Sequence, residues 1–260
     1  MSIMSRGSQP MYNFTMIVLF AVLFILLFFS WQIVSLLADW LWFREVGYIK
    51  VFSITLTAKI QTAALFALSF FCIMAGNLFL ASWLSRKSQG FFTGNVIQPP
   101  IAGLDSARLN RFILIIALIF SVFAGIYGAA QWENLLRFVN GLSFRLTDPL
   151  FARDIAFYVF QLPFFRQVYG FAFALLILTL LSSAMLYLIR GAFSFIPPVT
   201  FYAAKFARGH LFVLVAILFF LACSGFWLDL SDLLFVKRGV VYGAGYWVAS
   251  TQVWVLYLLM

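Results

Sequence analysis

The stretch KIQTAALFALSFFCIMAGNLFLASWLSRK, residues 59–87, decides the fold class. Between Lys59 and Arg86 it holds no Asp, Glu, Lys or Arg. It exceeds the roughly 20 residues that a helix rising about 1.5 Å per residue needs to cross a hydrocarbon core about 30 Å thick. Its apolar residues do not alternate with charge at helical spacing, as they would in the amphipathic helix of a soluble protein. Similar stretches recur along the chain, and the expected spans are about 14–37, 57–83, 112–130, 168–189 and 211–230, with a sixth at 247–260 that reads as truncated. All seven prolines fall outside the first five spans, at points where the chain leaves the bilayer.

Composition points the same way. Of 260 residues, 65% are apolar and 10% charged, at a mean hydropathy of +1.04. A soluble domain needs about 25% charged residues to cover its surface. The expected fold class is therefore all-α: a polytopic transmembrane helix bundle, a single helical domain over residues 1–260, with the lipid bilayer as its main partner. The net charge of +9 is spread over the connections between spans and not gathered on a soluble face, which argues against a nucleic-acid partner. The first apolar run is too long for the apolar region of a cleaved signal peptide and no small-residue cleavage site follows, so it reads as a retained anchor. Cys72 and Cys223 both lie within spans and imply no disulfide framework.

Charge also bears on orientation. The tail and the even-numbered connections carry eight basic residues and one acidic, Asp105; the odd-numbered connections carry nine basic and seven acidic. Basic residues alone give no preference, and the acidic asymmetry favours a cytoplasmic N-terminus in a bacterial plasma membrane. Clusters at Ser85-Arg86-Lys87 and from Lys205 to Arg208 agree, since anionic lipid of the inner leaflet attracts them.

The spans nominate little chemistry. None has an ionisable Asp, Glu, Lys or Arg near its centre, where pumps and ion pathways place them. Gln32, Asn77, Tyr127, Ser182 and Ser183, with Gln61 and Gln131 near span ends, read better as interhelical hydrogen-bonding groups than as a hydrophilic path. Ala63 with Ala67, Ala75-Gly76, and Ala124, Gly125 and Gly128 are small enough for close helix contact. His210, the sole histidine, has no Cys, Asp or Glu at ligand spacing and reads as an interfacial side chain near Lys205 and Arg208. Asp229 and Asp232, three apart, can share a helix face yet read as water-facing carboxylates. Gly239, Gly243 and Gly245 lack the spacing of a phosphate loop. No catalytic, cofactor-binding or metal-ligating residue is nominated, and no cofactor is implied.

The connections are richer. DWLWFREVGYIKVF (39–52) and the region 131–166 carry Trp40, Trp42, Tyr48, Trp132 and Tyr158 as candidate headgroup anchors. In DPLFARDIAFYVFQLPFFR (148–166), Asp148 followed by Pro149 reads as a helix start and Pro163 as its end. The expectation is an interfacial amphipathic helix over about 149–161, with Phe151, Ile155, Tyr158 and Leu162 on one stripe; the run IAFYVF leaves a short strand as the alternative.

WFREVGYIKVF, TDPLFARDIAFYVFQLPFFR, ARGHLFVLVAILFF and GFWLDLSDLLFVKRGVVYGAGY together resemble, in the same order, the signature blocks of large bacterial membrane proteins known as uncharacterised protein family 0182. The resemblance implies about seven N-terminal spans followed by a long region outside the membrane, with no assigned activity. After GAGY the chain departs from the family pattern, reading WVASTQVWVLYLLM in place of a short polar segment with Asp and His. The expectation is that these residues are the N-terminal portion of a longer protein, the missing region or other membrane subunits being its partners. The leading functional expectation is the membrane-anchoring module of a larger cell-envelope protein, not an enzyme. A piece of a transporter or channel is the alternative, and a membrane-embedded enzyme is a third, which would need Asp148, Asp154, Asp229 or Asp232 to converge at one site.

Overall fold

The computed structural model describes residues 11–88, 106–196, 200–235, 237–238, 241–243 and 245–260. Contacts divide the chain into two units, residues 1–57 and 58–260.

In the first unit, helix α1 (Met11–Glu45) is followed after three residues by α2 (Ile49–Ser88). Gly47 makes this tight reversal possible: its φ of 82° is the left-handed conformation that side chains with a Cβ resist. The Tyr48 N–H then reaches the Phe43 carbonyl at 2.9 Å and the Gly47 N–H the Arg44 carbonyl at 3.3 Å, the paired bonds of a Schellman helix end. Phe43 packs against Trp42 and Phe52, and the Arg44 guanidinium lies 4.7 Å over the Trp40 ring. Residues 39–52, expected as a loop, are thus two helix ends around a short turn. Charge and aromatic content were misleading there, because both suit helices leaving an apolar layer.

The second unit contains the rest of α2, then α3 (Ser106–Ala130), the short α4 (Trp132–Val139), α5 (Leu162–Ile189), α6 (Lys205–Asp232) and α7 (Val253–Leu259). Among the described residues, four helical stretches are long and apolar enough to cross a membrane: Ile49–Arg86, Arg108–Ala130, Phe157–Ile189 and Lys205–Phe235. The expected first span lies within α1 and is not one of these four. The expected sixth is a π-turn, Val248–Gln252, leading into α7, with a shorter apolar run over Ser250–Leu259. Four of the expected spans are thus borne out among the described residues, and the first and sixth are not among the helices that meet this measure.

α2 and α3 come close because small residues meet. A Cβ on Gly128 would lie 2.7 Å from the Thr62 carbonyl oxygen and 2.9 Å from Phe66 Cβ, and one on Gly125 would lie 3.2 Å from Ala67 Cβ. Phe70, Met74 and Leu78 of α2, Ile113 and Ala117 of α3, and Leu175 and Tyr187 of α5 continue this contact as one buried core. The buried hydroxyls of Thr62, Ser85 and Ser121 bond back to carbonyls a turn earlier, as Thr62 does to Ala58 at 2.7 Å, so they enter apolar surroundings already satisfied. The long elements are all helical, as expected. Two short antiparallel ribbons are added: β1 (Phe193–Ile196) with β2 (Thr200–Ala203), joining α5 to α6, and β3 (Lys237–Arg238) with β4 (Val241–Tyr242).

The expected helix over 149–161 is corrected. Residues 149–151 form a turn, and helix begins only at Ile155, so Asp154 and not Asp148 stands at its start. Pro163 does not end it. The chain passes through a π-turn, Phe157–Gln161, directly into α5, where proline is the second residue and Leu162 N–H bonds the Phe157 carbonyl five residues back. The wider turn absorbs the missing donor and bulky ring of proline without breaking the helix. The amphipathic helix of this connection is instead α4, with Glu133 and Arg137 paired on one face and Phe138 stacked on Phe164 at 4.3 Å on another.

Candidate functional site

Asp148 is 7% exposed and accepts four hydrogen bonds. Its Oδ1 takes the N–H groups of Leu150 and Phe151 at 2.8 and 2.6 Å; its Oδ2 takes the Arg153 N–H at 3.0 Å and the Tyr158 hydroxyl at 2.8 Å. The Asp148 N–H donates to the Arg153 carbonyl at 2.8 Å, closing the loop on itself. Burial pushes this carboxyl up, but the four donors outweigh it and hold it below the ordinary aspartate value. Asp154 has the same role a few residues later, accepting from the Ser143 hydroxyl and from the N–H groups of Ala156, Arg145 and Phe144. The Ser143 hydroxyl foremost, with these N–H groups, holds its carboxyl low as well. With about four acceptor positions on a carboxylate, each of these groups is filled by its own loop. Neither can take a substrate proton without giving up a bond that shapes the chain.

Arg153 lies 5.0 Å over Phe157 and 5.2 Å over Trp227, tying the loop to α6. Arg166, at the start of α5, pairs with Asp229 at 2.8 Å and with Asp232. The two carboxylates do share a helix face, but a cation from the neighbouring helix occupies it. The four aspartates therefore fall into two separate constellations, each with its own partners. Gln131, at the end of α3, accepts from Asn134 at 2.8 Å.

A second polar group lies at the opposite end of the helices and was only partly legible. Ser183 of α5 donates to Asn77 of α2 at 2.9 Å, which is the interhelical role expected for both. His210 is buried in the second turn of α6, the helix that begins with Lys205 and Arg208, and its Nδ1 lies 2.9 Å from the Tyr187 hydroxyl. Arg190, just past α5, donates to Ser82 of α2 at 3.1 Å, and burial together with nearby Arg86 makes its guanidinium easier to deprotonate than usual. Tyr187, Arg190 and Ser82 were missed. The available signal was the short hairpin between α5 and α6, which forces the last turn of one helix against the first turn of the next.

Of the other candidates, Gln32 is exposed on α1, Ser182 lines an apolar groove between α2, α3 and α5, and the Tyr127 ring lies 6.0 Å from that of Phe66. Gly243 has a φ of 131° in a turn, Gly245 is exposed, and Gly239 lies outside the described residues. Among the described residues no three His, Cys, Asp or Glu side chains gather as a metal site would require.

A family profile described as "Uncharacterised protein family (UPF0182)" matches residues 15–260. The UPF0182 protein GSU2333 of Geobacter sulfurreducens is 32% identical over 234 residues, covering 88% of this chain and 26% of that protein. A UPF0182 protein of Salinispora arenicola is 32% identical over 80% of this chain and 21% of its own length, and one of Mycobacterium bovis is 33% identical over 85% and 23%. The chain thus spans about a quarter of the length of the curated relatives it matches. No solved structure matches it. On the profile match and these identities, the chain belongs to the uncharacterised protein family UPF0182.

Proposed function

We propose that this chain is the membrane-anchoring helical module of a larger cell-envelope protein, in a bacterial plasma membrane with its N-terminus cytoplasmic. The observation that carries the reading is the distribution of polarity along the four long apolar helices. Their charged residues stand at or near the ends, and the carboxylates of Asp148, Asp154, Asp229 and Asp232 are engaged in holding loops and helix ends together. Such groups serve placement of the helices. The greater length of the relatives supports a role in carrying a further region.

The test is a soluble reporter joined after Met260 and expressed in a bacterium. The reporter is expected to sediment with membranes and to stay there through an alkaline carbonate wash. Release into the soluble fraction by the wash would overturn the anchoring role. A role in transport is the second reading, favoured by the half-buried Asn77 and the buried Ser183, Tyr187 and His210; among the described residues no charged or unwound site lies midway along the four long helices.

A further inference from the structure

The groove lined by Ser182 has a volume of about 290 Å³ and runs between α2, α3 and α5. Along α3 it extends from Leu109 to Phe120, which the helical rise makes roughly 16 Å long. Ser182 is the one polar side chain in an otherwise apolar lining. The groove opens beside Phe112, Leu181 and Met185, each more than half exposed, on the side that faces hydrocarbon if the helices are embedded.

One end of the groove is basic. Arg108 lies four residues before Phe112 and Arg190 four residues after Leu186, so each continues a lining stripe of its helix by one turn. Arg86 lies one helical turn after Ser82, whose hydroxyl accepts from the Arg190 guanidinium at 3.1 Å. Among the described residues of this unit, every carboxylate (Glu133, Asp148, Asp154, Asp229 and Asp232) belongs to the connection or helix ends at the opposite side. Asp105 precedes α3 and lies outside the described residues. An elongated apolar groove with arginines one turn beyond its end matches one ligand chemistry: an acyl chain attached to an anionic phosphate, the phosphate accepting forked hydrogen bonds from arginine.

We propose that the groove between α2, α3 and α5 is a binding site for an anionic phospholipid, with an acyl chain along Leu109, Ile116 and Ser182 and the headgroup phosphate on Arg108, Arg190 and Arg86. The proposal rests on the helices being embedded, which the carbonate wash tests separately. A protein that stays in membranes but fails the following experiment would lose the lipid site alone.

The experiment titrates the purified full chain in detergent with phosphatidylglycerol, phosphatidylcholine and inorganic phosphate, and reads binding by native mass spectrometry. Phosphatidylglycerol is expected to bind more tightly than phosphatidylcholine. Arg108→Gln is expected to cut that preference about fivefold, the usual worth of one basic residue beside an anionic lipid surface. Arg111→Gln, off the lining stripe, is expected to cut it less. Ser182→Phe, which fills the groove, is expected to weaken both lipids. Equal affinity for the two lipids, equal losses in the two arginine variants, an unchanged preference in Arg108→Gln, or full competition by inorganic phosphate would each overturn the site.

Discussion

Asp148 shows how a single carboxylate can dictate a loop. It faces four donors, two on each oxygen, and an amide in its place can satisfy only one side. In Asp148→Asn the carbonyl oxygen keeps Leu150 and Phe151, while the amide nitrogen meets the Arg153 N–H head on. The Tyr158 hydroxyl can turn to accept; the backbone N–H cannot. The expected loss is about 1–3 kcal/mol, the usual penalty for a buried donor left unpaired, read as a lower Tm in detergent. Tyr158→Phe removes one bond of the four and is expected to lose less, about 1 kcal/mol. The pH dependence has a definite sign. The folded-state pKa of Asp148 is below its unfolded value, so its contribution is complete above the unfolded pKa and is lost as pH falls through the folded one. The stability gap between wild type and Asp148→Asn should therefore narrow on acidification below the ordinary aspartate range. A gap that stays constant down to the lowest pH at which the protein remains folded would contradict the ionised cap.

At the scale of elements, the α2–α3 contact separates glycines that look alike in sequence. Gly128→Ala places a methyl group 2.7 Å from a carbonyl oxygen of the facing helix, which backbone cannot easily yield, while Gly76→Ala meets nothing within 4 Å. Alanine favours a helix over glycine by up to about 1 kcal/mol, so Gly76→Ala is expected to be neutral or mildly stabilising. Gly128→Ala is expected to lose about 1–3 kcal/mol through overpacking, and Gly125→Ala, with its 3.2 Å contact to another methyl, to fall between. Thermal unfolding of the three variants in one detergent checks the order. That small residues mediate helix contact could be read from the sequence, but not which of them do: Gly76 reads like Gly125 and Gly128 and meets nothing within 4 Å. The Asp148 loop could not be read there. Asp-Pro starts helices and turns equally well, and what decides between them is the set of donors from Leu150, Phe151, Arg153 and Tyr158 that converge only when the chain turns. Nor does periodicity warn that Pro163 can sit inside a continuous helix, since that depends on a π-turn just before it.

For the whole molecule, composition decided the environment and left the number and direction of crossings open. Run length identified α2, α3, α5 and α6 as candidate spans, because a hydrocarbon layer tolerates little else than long apolar helices. It did not anticipate that α1 and α2 are separated by only three residues. Orientation depends on charge outside the helices, and the carboxylates make the asymmetry: those of the second unit's described residues lie in the α3–α5 connection or at the C-terminal end of α6, while Arg86, Arg108 and Arg190 stand at the opposite helix ends. If basic residues near anionic inner-leaflet lipid set the direction, the end carrying Arg86 and Arg108 is cytoplasmic. A reporter active only in the cytoplasm should then work when fused after Gln98, and one active only outside should work after Asn140. The opposite pattern would reverse the orientation while leaving the helices and their contacts intact. Both reporters working on the same side would mean that α3 does not cross, and the membrane bundle itself would have to be redrawn.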